Sequence, residues 1–199
     1  MRRRTFLLGS VAVVVPPAEL SVRTCQDWQA RPPAQELVTV HRRPSRILVH
    51  HTATENVEDY SIGHAYDLAR WIQDLHMDRN GWVDSGQHFT NSRGGVLMEG
   101  RHGSFEALRA GDQIVVGAHC PGQNDVAIGI ENEGLYVAVE PPQQQWDSLV
   151  AFCAHACDRY NIPASEIFGH RDFTVTQCPG DALYALLPRL RSEVAGQFR

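Results

Sequence analysis

Ile47-Leu48-Val49-His50-His51-Thr52-Ala53-Thr54 is the stretch on which the fold turns. Its first three residues are a short apolar run containing β-branched side chains, the length and composition of a buried strand. The run ends in two histidines. Strand ends in α/β folds are rigid platforms whose side chains point into a cleft. Successive strand residues face opposite ways, so His50 and His51 cannot both serve one site. The plainer alternative is a pair of edge histidines making ordinary hydrogen bonds.

Working outward, Pro32-Pro33 and Arg43-Pro44 bracket an extended lead-in segment. Downstream, Ile62, Ala65, Leu68, Ala69, Ile72 and Leu75 recur at helical spacing and predict an amphipathic helix over 60–77. Asn80-Gly81 is a turn, and strands near 87–92 and 96–101 join at Gly94-Gly95 as a hairpin. Further strands are predicted near 113–118 and 126–132. A second helix over 142–160 carries Trp146, Leu149, Val150, Cys153 and Cys157 on one face. A short strand follows near 166–169, then a helical segment from about Gly180 that Pro188 kinks or restarts. Strands interleaved with helices argue an α/β fold, a single domain with a central mixed β-sheet flanked by helices. The chain shows neither repeats nor a low-complexity linker.

The 199 residues are one ordinary domain with a short appendage, and 43% hydrophobic against 21% charged residues is a globular balance. A net charge of −5, from 18 Lys+Arg and 23 Asp+Glu, excludes a general nucleic-acid grip. At the start, Arg2-Arg3-Arg4 runs into an apolar stretch from Phe6 to Val15. That stretch is too short to span a bilayer, which takes roughly 20 residues, and it suits a twin-arginine-type export signal over residues 1–20. The alternative is a disordered basic N-terminus. No other stretch is long and apolar enough for a membrane helix. Residues 21–199 then form one domain.

Two further segments carry chemistry. Gly169-His170-Arg171-Asp172 precedes Thr176-Gln177-Cys178-Pro179-Gly180-Asp181, which sets a histidine and a cysteine eight residues apart. A strand end and the loop after it can supply two ligands in that way. Zinc takes imidazole nitrogen and thiolate in a tetrahedral shell, and a catalytic site leaves one position open. The competing reading of Cys178 is a disulfide. In Ile128-Gly129-Ile130-Glu131 the isoleucines share one face and Glu131 takes the other, as a candidate general base or as part of a solvated acidic face. The other cysteines are Cys25, Cys120, Cys153 and Cys157. Four cysteines allow three pairings of two disulfides, although Cys153 and Cys157 are poorly aimed at each other. Buried thiols acting as small hydrophobes are the alternative.

Residues 24–187 closely resemble the type 2 N-acetylmuramoyl-L-alanine amidases, the family that includes peptidoglycan recognition proteins and phage amidase-lysozymes. The matching segments run in order: Trp28-Gln29-Ala30-Arg31-Pro32-Pro33, Val49 to Thr54, Asn80 to Phe89, Glu99-Gly100-Arg101, Gly117-Ala118-His119, Asn124 to Ile130, Gly169 to Asp172, and Cys178 to Asp181. The resemblance implies the peptidoglycan-recognition-protein fold and a Zn2+ enzyme. Such an enzyme cleaves the amide between the lactoyl group of N-acetylmuramic acid and L-alanine with zinc-activated water. The implied ligands are His50, His170 and Cys178. The implied catalytic residues are Glu131 as base and Thr176 at the oxyanion. Thr52, Trp82, Gln87, Arg101, His119 and Asn124 are the implied substrate-groove residues. His51 is read as hydrogen-bonded rather than metal-bound, and His64, His76 and His155 as structural or surface residues.

One departure matters: the tyrosine that the family carries near the metal is Gln87 here, and glutamine cannot titrate. The implied partner is peptidoglycan or muropeptides, and the protein is expected to be a monomer, secreted or associated with the cell wall. The rival readings are a recognition module that binds the wall polymer without turnover and a zinc carboxypeptidase that trims peptide stems.

Overall fold

The computed structural model describes residues 20–198. The expected export signal lies almost wholly on residues outside that range. Among the described residues, seven strands and five α-helices follow in chain order. They are β1 (Thr39–Val40), β2 (Arg46–His51), α1 (Ile62–Asp74), β3 (Phe89–Asn91), β4 (Leu97–Glu99), α2 (Ser104–Ala110), β5 (Ile114–Val115) and β6 (Ala127–Asn132). After them come α3 (Gln143–Tyr160), β7 (Ile167–Gly169), α4 (Asp181–Ala185) and α5 (Leu187–Gly196).

The central sheet has the order β4-β3-β6-β2-β7. Only the β3–β4 hairpin is antiparallel, so the sheet is mixed, as the alternation of elements predicts. β2 and β6 occupy its middle, which explains why both read as nearly continuous apolar runs: a parallel strand covered on two faces has no polar side to alternate with. On one face Ile47, Val49, Ile128, Ile130 and Phe89 meet α3 and α5 in the main core. Phe89 packs on Phe152 of α3 with ring centroids 4.8 Å apart. The other face carries Leu48, His50, Gly129, Glu131, Thr90 and Met98 by strand alternation. There α1 covers only the β4 side, where Ala65 and Ala69 join Trp28, Cys25 and Met98. On the rest of that face, the side of the expected cleft, Cys120 and Phe173 pack on Leu48, and Glu131 is left partly exposed.

Local signals account for most boundaries. Ser61 accepts the His64 amide at 3.2 Å and caps α1, which runs on through one π-helical turn, Leu75–Arg79. α3 ends on Asn161 in the left-handed conformation. Pro188 restarts rather than kinks the last helix, standing in the first turn of α5 where its missing N–H costs nothing. Three features differ from expectation. The strand predicted over 113–118 shrinks to β5, which pairs with β1 outside the main sheet. α2 has no counterpart in the sequence reading, because seven residues between Gly103 and Gly111 are too few to show a helical period. The disulfides considered for Cys25, Cys120, Cys153 and Cys157 do not form: all five thiols are free. The four sit in three separate apolar clusters, with Cys153 and Cys157 together on α3, so each acts as a small hydrophobe. Among the described residues no helix is long and apolar enough to cross a membrane.

The Phe89–Phe152 contact ties α3 to the sheet, so Phe152→Ala is expected to cost about 3–5 kcal/mol. Urea unfolding followed by circular dichroism measures it; a loss below about 1 kcal/mol would show that the site tolerates the cavity.

Candidate metal centre

β2 delivers its two histidines to opposite faces. His50 is 3% exposed and stands on the cleft side. His51 turns the other way, and its Nδ1 accepts the Tyr136 amide at 3.2 Å. β7 lies parallel to β2 with Gly169 opposite Val49, so His170, the next residue, arrives beside His50 with ring centroids 4.5 Å apart. Residues 170–172 form a single 3-10 turn. The Asp172 carboxylate accepts the Gly169 amide at 2.8 Å and the Tyr184 hydroxyl at 2.5 Å, which fixes that turn from both sides.

The following loop folds back onto the turn. The Arg171 amide donates to the Cys178 carbonyl at 3.1 Å, while its guanidinium holds the Gln177 carbonyl and, at 2.6 Å, Asp181. Cys178 returns with its Sγ 3.6 Å from His50 Nδ1 and 3.4 Å from the His51 amide, which donates to it. The ligand atoms of His50, His170 and Cys178 all lie within 4.8 Å of one another.

The electrostatics of the trio are those of a site built for a cation that brings its own charge. Burial, with other imidazoles nearby, holds His50 well below the usual histidine range, and burial lowers His170 too. Burial also pushes the Cys178 thiol up to about 12. Two neutral imidazoles and a thiol are the result. His170 Nε2 is buried without a hydrogen-bond partner, an arrangement that costs free energy unless something else fills the lone pair. Two nitrogens and one sulfur suit zinc, and three protein donors leave a position free.

Glu131 is the register partner of His50 on β2 and of Thr90 on β3, so the three stand in one row on the cleft face. It is partly exposed, and desolvation raises its carboxyl to about 7. Thr176, two residues before Cys178, accepts the Cys178 amide at 3.2 Å, which leaves its hydroxyl proton free to donate.

The residues read as groove-lining fare differently. Gln87 is 1% exposed and donates to Thr90 Oγ1 at 2.9 Å, so it meets the Glu131 row from within the protein and presents no open surface. Arg101 is buried and donates inward to the Ser85 carbonyl at 2.8 Å. Asn124 accepts the amides of His119 and Cys120 at 2.8 and 2.9 Å, so its side chain braces a loop. Thr52 accepts the Gly134 amide at 2.9 Å and meets the Thr54 hydroxyl at 2.7 Å. Trp82 is half-buried against His76, ring centroids 4.6 Å apart. His119 lies against the candidate metal centre, in contact with His50 at 3.1 Å. His76 accepts the Gly86 amide and His64 pairs with Glu133, the structural duties expected of helix histidines. Sequence reasoning passed over Thr90, Arg171 and Asp172. The last two were in view beside His170, but only the returning loop shows what they hold.

Residues 40–181 match the N-acetylmuramoyl-L-alanine amidase family, Amidase_2. Peptidoglycan-recognition protein LB of Drosophila melanogaster is 32% identical over 161 residues, 80% of this chain and 64% of that protein's length. The human N-acetylmuramoyl-L-alanine amidase is 29% identical over 71% of this chain, a match that spans only 23% of the human protein. Among solved structures, a mutant of Drosophila PGRP-LB in complex with tracheal cytotoxin superposes with a TM-score of 0.71 at 29% identity. That superposition covers 82% of this chain and 90% of the other. With its mixed sheet, its flanking helices and a family match over most of its length, this chain belongs to the N-acetylmuramoyl-L-alanine amidase family that also includes the peptidoglycan recognition proteins.

Proposed function

We propose that the protein is a zinc-dependent N-acetylmuramoyl-L-alanine amidase that hydrolyses the lactoyl–L-alanine amide of peptidoglycan. We further propose that its N-terminal segment exports it and that it works at the wall as a monomer. The observation that supports catalysis over simple binding is the intact trio of His50, His170 and Cys178, converging within 4.8 Å beside the carboxylate of Glu131. A recognition module needs the cleft but has no use for three inward-facing donors and a base.

Zinc, when bound, supplies Lewis acidity, which acidifies water and polarises an amide carbonyl. His50, His170 and Cys178 would hold it. Glu131 takes a proton from the attacking water, a role for which a carboxyl raised to about 7 is well matched. Thr176 donates its free hydroxyl proton to the carbonyl oxygen as negative charge develops there. Glu131 then passes its proton to the departing amine of L-alanine, so the C–N bond breaks as the new C–O bond is retained. Gln87, which stands where the family carries a tyrosine, holds Thr90 and leaves the proton transfers to Glu131.

Glu131→Gln is expected to lose about 10²–10⁴ in turnover while retaining zinc, and Gln87→Ala to lose less. Mass spectrometry of muropeptide digests reads both, with free lactoyl-muramic acid and free L-alanine amino termini as the products. Unaltered activity in Glu131→Gln removes that residue from the chemistry. Intact sacculi after incubation with zinc-loaded wild type would establish the binding module instead. Products trimmed at the stem carboxyl end would establish the carboxypeptidase.

Cys178→Ala is expected to lower zinc content after dialysis, measured by elemental analysis, and a chelator to abolish activity. Full zinc occupancy in that variant would displace Cys178 from the ligand set.

A further inference from the structure

His119 has a seat built around it. A Cβ added at Gly129 would stand 2.5 Å from its Cγ, and one added at Gly117 would stand 2.7 Å from its Cδ2, so only glycine fits on either side of the ring. Asn124 pins its backbone amide at 2.8 Å. His119 is 8% exposed, too enclosed to serve mainly as a wall of the groove.

The two nitrogens of that ring have unequal partners. Nε2 lies 3.2 Å from the Ala127 carbonyl oxygen, which can only accept, so Nε2 carries the proton. The ring is enclosed against the imidazoles of His50 and His88 with no carboxylate among its hydrogen-bond partners, so it holds a single proton. Its Nδ1 is therefore a lone pair, and that lone pair lies 3.1 Å from His50 Nε2. His50 must then donate from Nε2. Its own Nδ1 is left bare on the side of Cys178, 3.6 Å from Sγ.

We propose that the Ala127 carbonyl and His119 fix the proton of His50 on Nε2 and so present His50 Nδ1 to the metal as a ready lone pair. His119 is thus a positioning residue of the metal centre. A ligand imidazole held in one tautomer and one orientation loses neither a proton nor ring freedom when the ion arrives. Outer partners of this kind are typically worth 10–100-fold in metal affinity. The inference rests on the zinc reading above for its affinity consequence, but the tautomer itself belongs to the metal-free protein.

Two measurements separate these parts. In metal-free, 15N-labelled wild type, long-range 1H–15N correlation spectra should show His50 and His119 both protonated on Nε2. A proton on His50 Nδ1 overturns the proposal whatever the metal does. Zinc competition against a chromophoric chelator should show His119→Phe, which keeps the ring and removes the acceptor, weaker by about 10–100-fold. His119→Asn, whose Oδ1 takes the place of Nδ1, should recover most of that loss. Folded His119→Phe protein with wild-type zinc affinity overturns the proposal. If His119→Phe does not fold, the wild-type spectrum and His119→Asn decide it. Wild type that binds no zinc would defeat the metal reading alone, leaving the His50 tautomer to stand or fall by its spectrum.

Discussion

The parallel pairing of β2 with β6 on one side and β7 on the other is the constraint from which the candidate metal centre follows. Parallel strands in register present equivalent positions side by side, so His50 and Glu131 share a row and His170 lands at its end. None of the three needs a long or flexible side chain to reach the others. His50 and Glu131 are set by backbone hydrogen bonds inside a sheet whose reverse face is packed by α3 and α5, and His170 follows directly on the edge strand β7. Sites carried on such elements are held more closely than sites carried on loops.

Cys178 is the exception, since it comes from a loop, and the structure compensates with bracing. Arg171, adjacent to one candidate ligand in sequence, ties down the segment that carries another, while Asp172 fixes the turn that carries the first. The same economy appears below the site. Asn124, Gly117, Gly129 and Ala127 have no part in the proposed chemistry, yet together they determine where His119 lies and how it meets His50.

Much of this was legible in the sequence, for identifiable reasons. The strand ending at His50-His51 and the helices α1 and α3 show long or dense hydrophobic patterns, and those patterns reflect burial directly. The candidate ligands His50, His170 and Cys178 stand out through the resemblance that assigns them together, since each alone also reads as an ordinary histidine or a disulfide cysteine. Groove assignments were less secure because a motif gives a position and not a direction. Gln87, Arg101 and Asn124 belong to segments near the cleft, but each side chain turns to a backbone or hydroxyl partner within the protein. α2 and β1 were invisible because seven- and two-residue elements carry no measurable period, while β5 was read as a longer strand over 113–118. Which nitrogen of His119 faces which neighbour is a matter of ångströms that no residue pattern encodes.

The five unbridged thiols have a consequence for the order of events in the life of the chain. A small exported domain commonly depends on oxidation to complete its fold. Here the clusters around Cys25, Cys120 and the α3 pair are closed by packing alone, so reductant should leave the architecture standing. The described domain can therefore reach its native form without waiting for oxidation, in a reducing environment as readily as in an oxidising one.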